Sequence, residues 1–270
     1  DLKPNFLYEE GDLALLETHY YGGIKKYQWT TLPLALYGTL IKKNGEKLSI
    51  AIGDDPDDPI FYISDLLIHL SKDQLKKTLD EGVTGEDLNV LCGSMPYKKS
   101  ENEKDEKGES PIKKNILMLL KEKYDITEED LVGAEFEIVP AGMARKVGFD
   151  KSMIAGYGHD DRSCSFAALK AILDQKEVPK KTLAVLLVDK EEIGSYGNTG
   201  LESDFFTYAL AEFMQKKEAQ SHFLAIKRCL TKSFAISADV TAGMDPNYPG
   251  VEDKKNAAAL NKGVCLKKYT

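Results

Sequence analysis

Two adjacent glutamates, Glu191 and Glu192, lie just past the apolar run TLAVLLV (182–188) in TLAVLLVDKEEIGSYG. That run is short, continuous and rich in Val and Leu, which predicts a strand buried on both faces of a parallel sheet. In open α/β sheets, ligands bind at the carboxyl ends of such strands. Carboxylates there can move protons or hold a metal. Two other places share the arrangement. Asp160 and Asp161, in GYGHDDRSC, precede the helical pattern RSCSFAALKAILDQ, and Asp239 ends the apolar pattern SFAISADV (233–240). Several carboxylates at one sheet edge repel each other unless a cation sits among them, and a divalent metal is the simplest cation. Carboxylate oxygens bind zinc at about 2.0–2.2 Å, and paired catalytic metals lie about 3.5–4 Å apart. Each acid also has a structural reading. Residues 189–192 can form a solvated turn, Asp160 or Asp161 can cap a helix, and Asp239 can cap the turn leading to AGMDPNYP.

The elements that must position these acids fall into two regions. From about Leu13 to Val139 the pattern is strand-like, and two apolar runs flank Asn44-Gly45, a strong hairpin signal. ISDLLIHLSKDQLKKTLDEG has helical spacing ended by Gly82, NILMLLKEKYD (115–125) predicts a helix, and GAEFEIVPAG a strand. PYKKSENEKDEKGESP (96–111) reads as a polar, mobile insert. After about Ala144, helical patterns at 162–175 and 201–220 alternate with the apolar runs 182–188 and 233–240, which indicates an α/β sheet. Gly194, Gly197 and Gly200 make GSYGNTG a loop; the spacing does not match a phosphate-binding fingerprint, and the acids before it would repel phosphate.

The three segments GYGHDDRSCSFAALKAI, LLVDKEEIGSYGNTG and ISADV…DPNYP, in this order, resemble the aspartyl aminopeptidase family of di-zinc metallo-aminopeptidases. ETHYYGGIKKYQWTTLPLALYGTLI and IFYISDLLIHL are similar to the β-rich dimerisation domain of that family, so the resemblance covers nearly the whole chain. It implies an α/β fold: a mixed, largely parallel sheet flanked by helices, with an inserted β-rich dimerisation domain. Residues 1–8 would then begin the catalytic domain, 9–145 form the insert, and 146–270 continue the catalytic domain. The implied activity is hydrolysis of the N-terminal residue of peptides through a metal-bound hydroxide with a Glu general base. The resemblance assigns Asp160 as the carboxylate bridging two zinc ions, Glu192 and Asp239 as ligands of one ion each, and Glu191 as the base. Cobalt or manganese are alternative occupants. His69, in LLIHL, would reach the partner subunit's site and stabilise the oxyanion; its structural reading is a His packed on an apolar helix face. Two further histidine ligands of the family fall outside residues 1–270, and His159 matches neither. The family's assemblies imply self-association into dimers and dodecamers through 9–145, with a peptide as substrate. The residues between Asp239 and PNY, Val240 to Asp245, include no His, a departure from the aspartyl-preferring branch.

Composition bounds these readings. The chain has 270 residues, 42% hydrophobic and 30% charged, enough for one large domain or two ordinary ones. A net charge of −8 argues against nucleic acid or an anionic membrane as the main partner. Cys92, Cys164, Cys229 and Cys265 have no paired spacing, which suggests reduced thiols and a cytoplasmic location. The opening DLKPNF, and the closing NKGVCLKKYT, which reads as a strand, lead us to expect flanking polypeptide at both ends. Two other functions compete: a non-catalytic assembly protein of the same fold, and a calcium module built on Asp54, Asp55, Asp57 and Asp58. The latter acids lack the spacing of a calcium-binding loop.

Overall fold

A computed structural model describes residues 1–20, 22–98, 110–217, 219 and 221–268. The chain divides into two compact units, Asp1–Tyr157 and Gly158–Thr270. The polar insert read from sequence at 96–111 falls largely outside the described residues.

The first unit is built on an antiparallel sheet. Its strands are β1 (Leu2–Glu10), β2 (Leu13–Thr18), β3 (Pro33–Ile41), β4 (Lys47–Ile52), β5 (Phe61–Tyr62), β6 (Val90–Gly93) and β7 (Glu135–Pro140). The sheet runs β1-β2-β6-β5-β3-β4, and β7 pairs with β3. β1, including residues the sequence reading set in another domain, is hydrogen-bonded to β2 from Leu2 to Glu10. The Asn44-Gly45 signal is a hairpin turn: Gly45 has φ +86, the Asn44 side chain accepts the Glu46 N–H at 2.9 Å, and Ile41 pairs with Lys47. Alternation puts Ile50 and Ile52 of β4, and Phe136 and Ile138 of β7, into the core. Helix α1 (Pro111–Tyr124) covers that core with Ile116, Leu117 and Leu120. Its first turn is held from a distance, because the Glu9 carboxylate accepts the N–H groups of Ile112 and Lys113 at 2.8 and 2.9 Å. A hairpin of β8 (Arg145–Val147) and β9 (Met153–Ala155) completes the unit.

Helix α2 (Glu128–Leu131) carries a capping box between Thr127 and Asp130. Asp130 accepts from the Thr127 N–H at 2.9 Å, the Thr127 hydroxyl at 2.8 Å and the Lys43 N–H at 3.1 Å, tying the β3–β4 hairpin to α2. These donors hold its carboxyl below the ordinary value of 3.8. A pKa depressed in the folded state gives stability that is full above the ordinary value and lost as pH falls through the folded one. We therefore expect the urea midpoint, read from Trp29, the single tryptophan, to drop on acidification below about pH 4. Asp130→Asn should lower the neutral-pH midpoint and flatten that acid limb.

The second unit departs from the sequence reading. Helices α3 (His159–Leu173), α4 (Phe205–Lys216) and α5 (Phe223–Thr231) form, the first two where periodicity predicts them. The runs 182–188 and 233–240 are not paired strands, and Leu186, Leu187, Phe234 and Ile236 are exposed. Among the described residues the one parallel pairing is the isolated bridge of Gly243 with Ala258, so the expected largely parallel sheet is not formed among them. The physical reason is edge and face coverage. A strand of this type needs neighbours on both edges for its backbone and layers on both faces for its side chains, and no such neighbours lie among the described residues.

All four cysteines are free thiols. Burial pushes the Cys92 thiol up to about 12, which makes it a packing residue and not a nucleophile. Among the described residues no helix is long and apolar enough to cross a membrane.

Candidate active site

The four acids singled out by sequence sit at turns and element ends of the second unit. Gly158, with φ +82, turns the chain into α3, and Asp160 has non-helical dihedrals of −83° and 116° within its first turn. The two aspartates then differ in use. Asp161 accepts the Ser165 hydroxyl at 3.0 Å, one helical turn on. The Asp160 carboxylate is exposed and takes no hydrogen bond or ion pair from any described residue. The capping reading thus suits Asp161 in part and leaves Asp160 uncommitted.

Glu191 and Glu192 open a single 3₁₀ turn, Glu191–Ile193. Lys190 before it and Ser195 after it are both left-handed, at φ +66 and +62, conformations a side chain disfavours. The turn is closed by backbone bonds: Gly194 N–H to the Glu191 carbonyl at 2.9 Å and Ser195 N–H to the Lys190 carbonyl at 2.7 Å. Asp189 latches the loop, its N–H donating to the Thr199 carbonyl at 3.1 Å and its carboxylate accepting the Lys190 N–H at 2.8 Å. The glutamate side chains themselves have no described partner. This is a hydrogen-bonded, solvent-exposed turn presenting two carboxylates with no partner among the described residues. Its left-handed positions are not legible in composition; the signal that could have pointed to a shaped loop is the glycine spacing of GSYGNTG.

Asp239 lies in irregular chain after α5, its carboxylate accepting the N–H of Val240 at 2.6 Å. His69 belongs to the first unit, in an exposed turn closed by the Leu70 N–H to the Leu67 carbonyl at 2.8 Å. The helix predicted over ISDLLIHLSKDQLKKTL is instead turns and a short 3₁₀ segment, Gln74–Lys76, so His69 is not packed on a helix face. His222 is structural, its Nδ1 accepting the Ala225 N–H at 3.3 Å as the α5 cap.

The donor types suit a hard or borderline cation: carboxylate oxygens, two sets of them unengaged. The grouping is incomplete. Among the described residues, no three or more His, Cys, Asp or Glu side chains gather closely enough to hold a metal ion. Asp160, Glu192 and Asp239 are thus not brought to a common ion site.

A family profile described as aminopeptidase I zinc metalloprotease (M18) matches residues 1–270. The chain belongs to the M18 family. A probable M18 family aminopeptidase 1 of Clostridium acetobutylicum is 50% identical over 270 residues, covering 100% of this chain and 56% of that protein. The crystal structure of an M18 aminopeptidase from Thermotoga maritima superposes with a TM-score of 0.86 at 43% identity, covering 96% of this chain and 55% of that one. The mixed α/β fold is that of M18 structures. A structure described as the S. cerevisiae mApe1 dodecamer shares the fold, with a TM-score of 0.60, 21% identity and coverage of 96% of this chain and 56% of that one. The chain spans slightly more than half the length of the M18 relatives it matches.

Proposed function

We propose that this chain is part of a zinc aminopeptidase that removes the N-terminal residue of peptides. The observation that carries the reading is the family match over all 270 residues, which takes in every one of the acids Asp160, Glu191, Glu192 and Asp239. In this reading Asp160 would be shared by two metal ions, Glu192 and Asp239 would each hold one, and two histidines outside residues 1–270 would complete the set. Bound zinc supplies polarisation of the scissile carbonyl and a more acidic water. The chain's own contribution is proton handling. Glu191, without a side-chain partner among the described residues and beside a ligand, accepts a proton at its carboxylate and returns it to the leaving amine. Its neighbour leaves the 3₁₀ turn about 120° further round, so one carboxylate can bind while the other faces the water.

The location is cytoplasmic in this reading, consistent with four free thiols. Residues 9–145 act as the self-association domain, building dimers and a dodecamer. Support comes from the first unit's exposed leucines: Leu66, Leu67, Leu70, Leu75 and Leu79 all face solvent, which is costly for an isolated chain and useful at an interface. His69, itself exposed, lies between Leu67 and Leu70 in the chain, and in the dimer it would serve the partner subunit's site. His69→Ala is expected to lower kcat by about 10²-fold and to leave zinc content and oligomeric mass unchanged; equal turnover in variant and parent removes the role.

The reading as a whole is tested by zinc analysis together with an aminopeptidase panel of neutral and acidic N-terminal residues on the intact protein. About two zinc ions per subunit and N-terminal cleavage support it. A protein that binds no metal, cleaves nothing and still assembles is the non-catalytic scaffold.

A further inference from the structure

Three glycines follow the Glu191–Glu192 turn, and they differ in kind. Gly194 and Gly197 both have φ +92, so their backbone conformation calls for glycine. Gly200 has no such φ. It is instead the single buried residue among the described residues of the second unit. A Cβ on Gly200 would lie 1.9 Å from the Ser195 carbonyl oxygen, 2.5 Å from the Ser195 carbonyl carbon and 2.8 Å from the Tyr196 carbonyl oxygen. All three are backbone atoms, so no rotamer change makes room. Ser195 is also the residue that ties the turn together: its N–H donates to the Lys190 carbonyl at 2.7 Å, and its carbonyl accepts the Glu202 N–H at 3.2 Å.

We propose that Gly200 is a positioning residue for Glu191 and Glu192. Its missing side chain lets the 195–196 backbone close against it. That closure holds Ser195 in its left-handed conformation and fixes the directions in which the two carboxylates leave the turn. The proposal rests on the reading of Glu191 as base and Glu192 as metal ligand.

The test is Gly200→Ala in the intact protein, with hydrogen exchange at the Gly194 and Ser195 amides and steady-state kinetics as readouts. Exchange at those two amides is expected to rise by about tenfold or more while α4 amides stay protected. kcat should fall about 10²-fold with KM nearly unchanged, as for a small misplacement of a reacting group. Gly250→Ala, where an added Cβ meets nothing within 4 Å, should change neither. Adding Ser195→Gly to Gly200→Ala frees the 195 backbone and should recover part of kcat. Unchanged exchange at Gly194 and Ser195 overturns the proposal, and so does an equal loss of protection throughout α4, which would make Gly200 a support of the whole unit. If Glu191→Gln retains full turnover, the base reading fails, and the exchange data alone decide whether Gly200 sets the turn.

Discussion

Glu191→Gln is expected to lower peptide turnover by about 10²–10⁴-fold, the range for losing a positioned general base, while zinc content stays at the parent level. The structure makes this substitution a clean one. The Glu191 backbone carbonyl, not its side chain, closes the turn by accepting the Gly194 N–H at 2.9 Å. The side chain takes no hydrogen bond from any described residue, so an amide of the same shape leaves the loop as it is. Gln can neither take up the proton nor return it to the departing amine. The neighbouring change gives the contrast: Glu192→Gln should lose zinc and turnover together, because a ligand rather than a base is removed. Inductively coupled plasma measurement of zinc alongside kcat on one peptide separates the two. Loss of zinc in Glu191→Gln would reverse the roles of the glutamates, and undiminished turnover would put the base elsewhere.

The first unit was legible because its signals are local. Asn44-Gly45 sets a hairpin by turn chemistry, and alternation in β4 and β7 follows from one buried face. Where reading failed, the apolar pattern answered to something other than the element assigned. Ile68, Leu75 and Leu79 recur at i, i+7 and i+11, yet they lie exposed on turns and a short 3₁₀ segment; the pattern describes a surface, not a helix stripe. The runs at 182–188 and 233–240 carry strand composition, and composition cannot supply the neighbours that make a strand. The acids were found by residue type and order. Their grouping was not, because gathering depends on pairing between segments distant in sequence. Nor was helix α5, whose apolar spacing over Phe223–Thr231 was passed over between two stronger patterns.

The other large effect concerns stability, at Gly38. This residue sits mid-strand in β3, paired with Ile50 of β4 on one side and Phe136 of β7 on the other. An added Cβ would lie 2.1 Å from the Glu135 carbonyl oxygen, 2.3 Å from Phe136 Cδ1 and 2.8 Å from Phe136 Cα. The Phe136 ring fills the space that a side chain at 38 would take and packs edge-on against Phe6 at 5.8 Å, so a glycine is covered by a cross-strand aromatic. Gly38→Ala is expected to cost about 3 kcal/mol, the upper part of the overpacking range, seen as a lower urea midpoint of Trp29 fluorescence. Gly23→Ala, whose Cβ meets nothing within 4 Å, should stay within about 0.5 kcal/mol of the parent. A second variant separates backbone from side-chain strain. Truncating the side chain with Phe136→Ala removes Cδ1 but leaves the Glu135 carbonyl and the Phe136 Cα in place, so Gly38→Ala should still lower the midpoint in that background. No further loss from Gly38→Ala in the Phe136→Ala background would mean that the ring alone excludes the methyl.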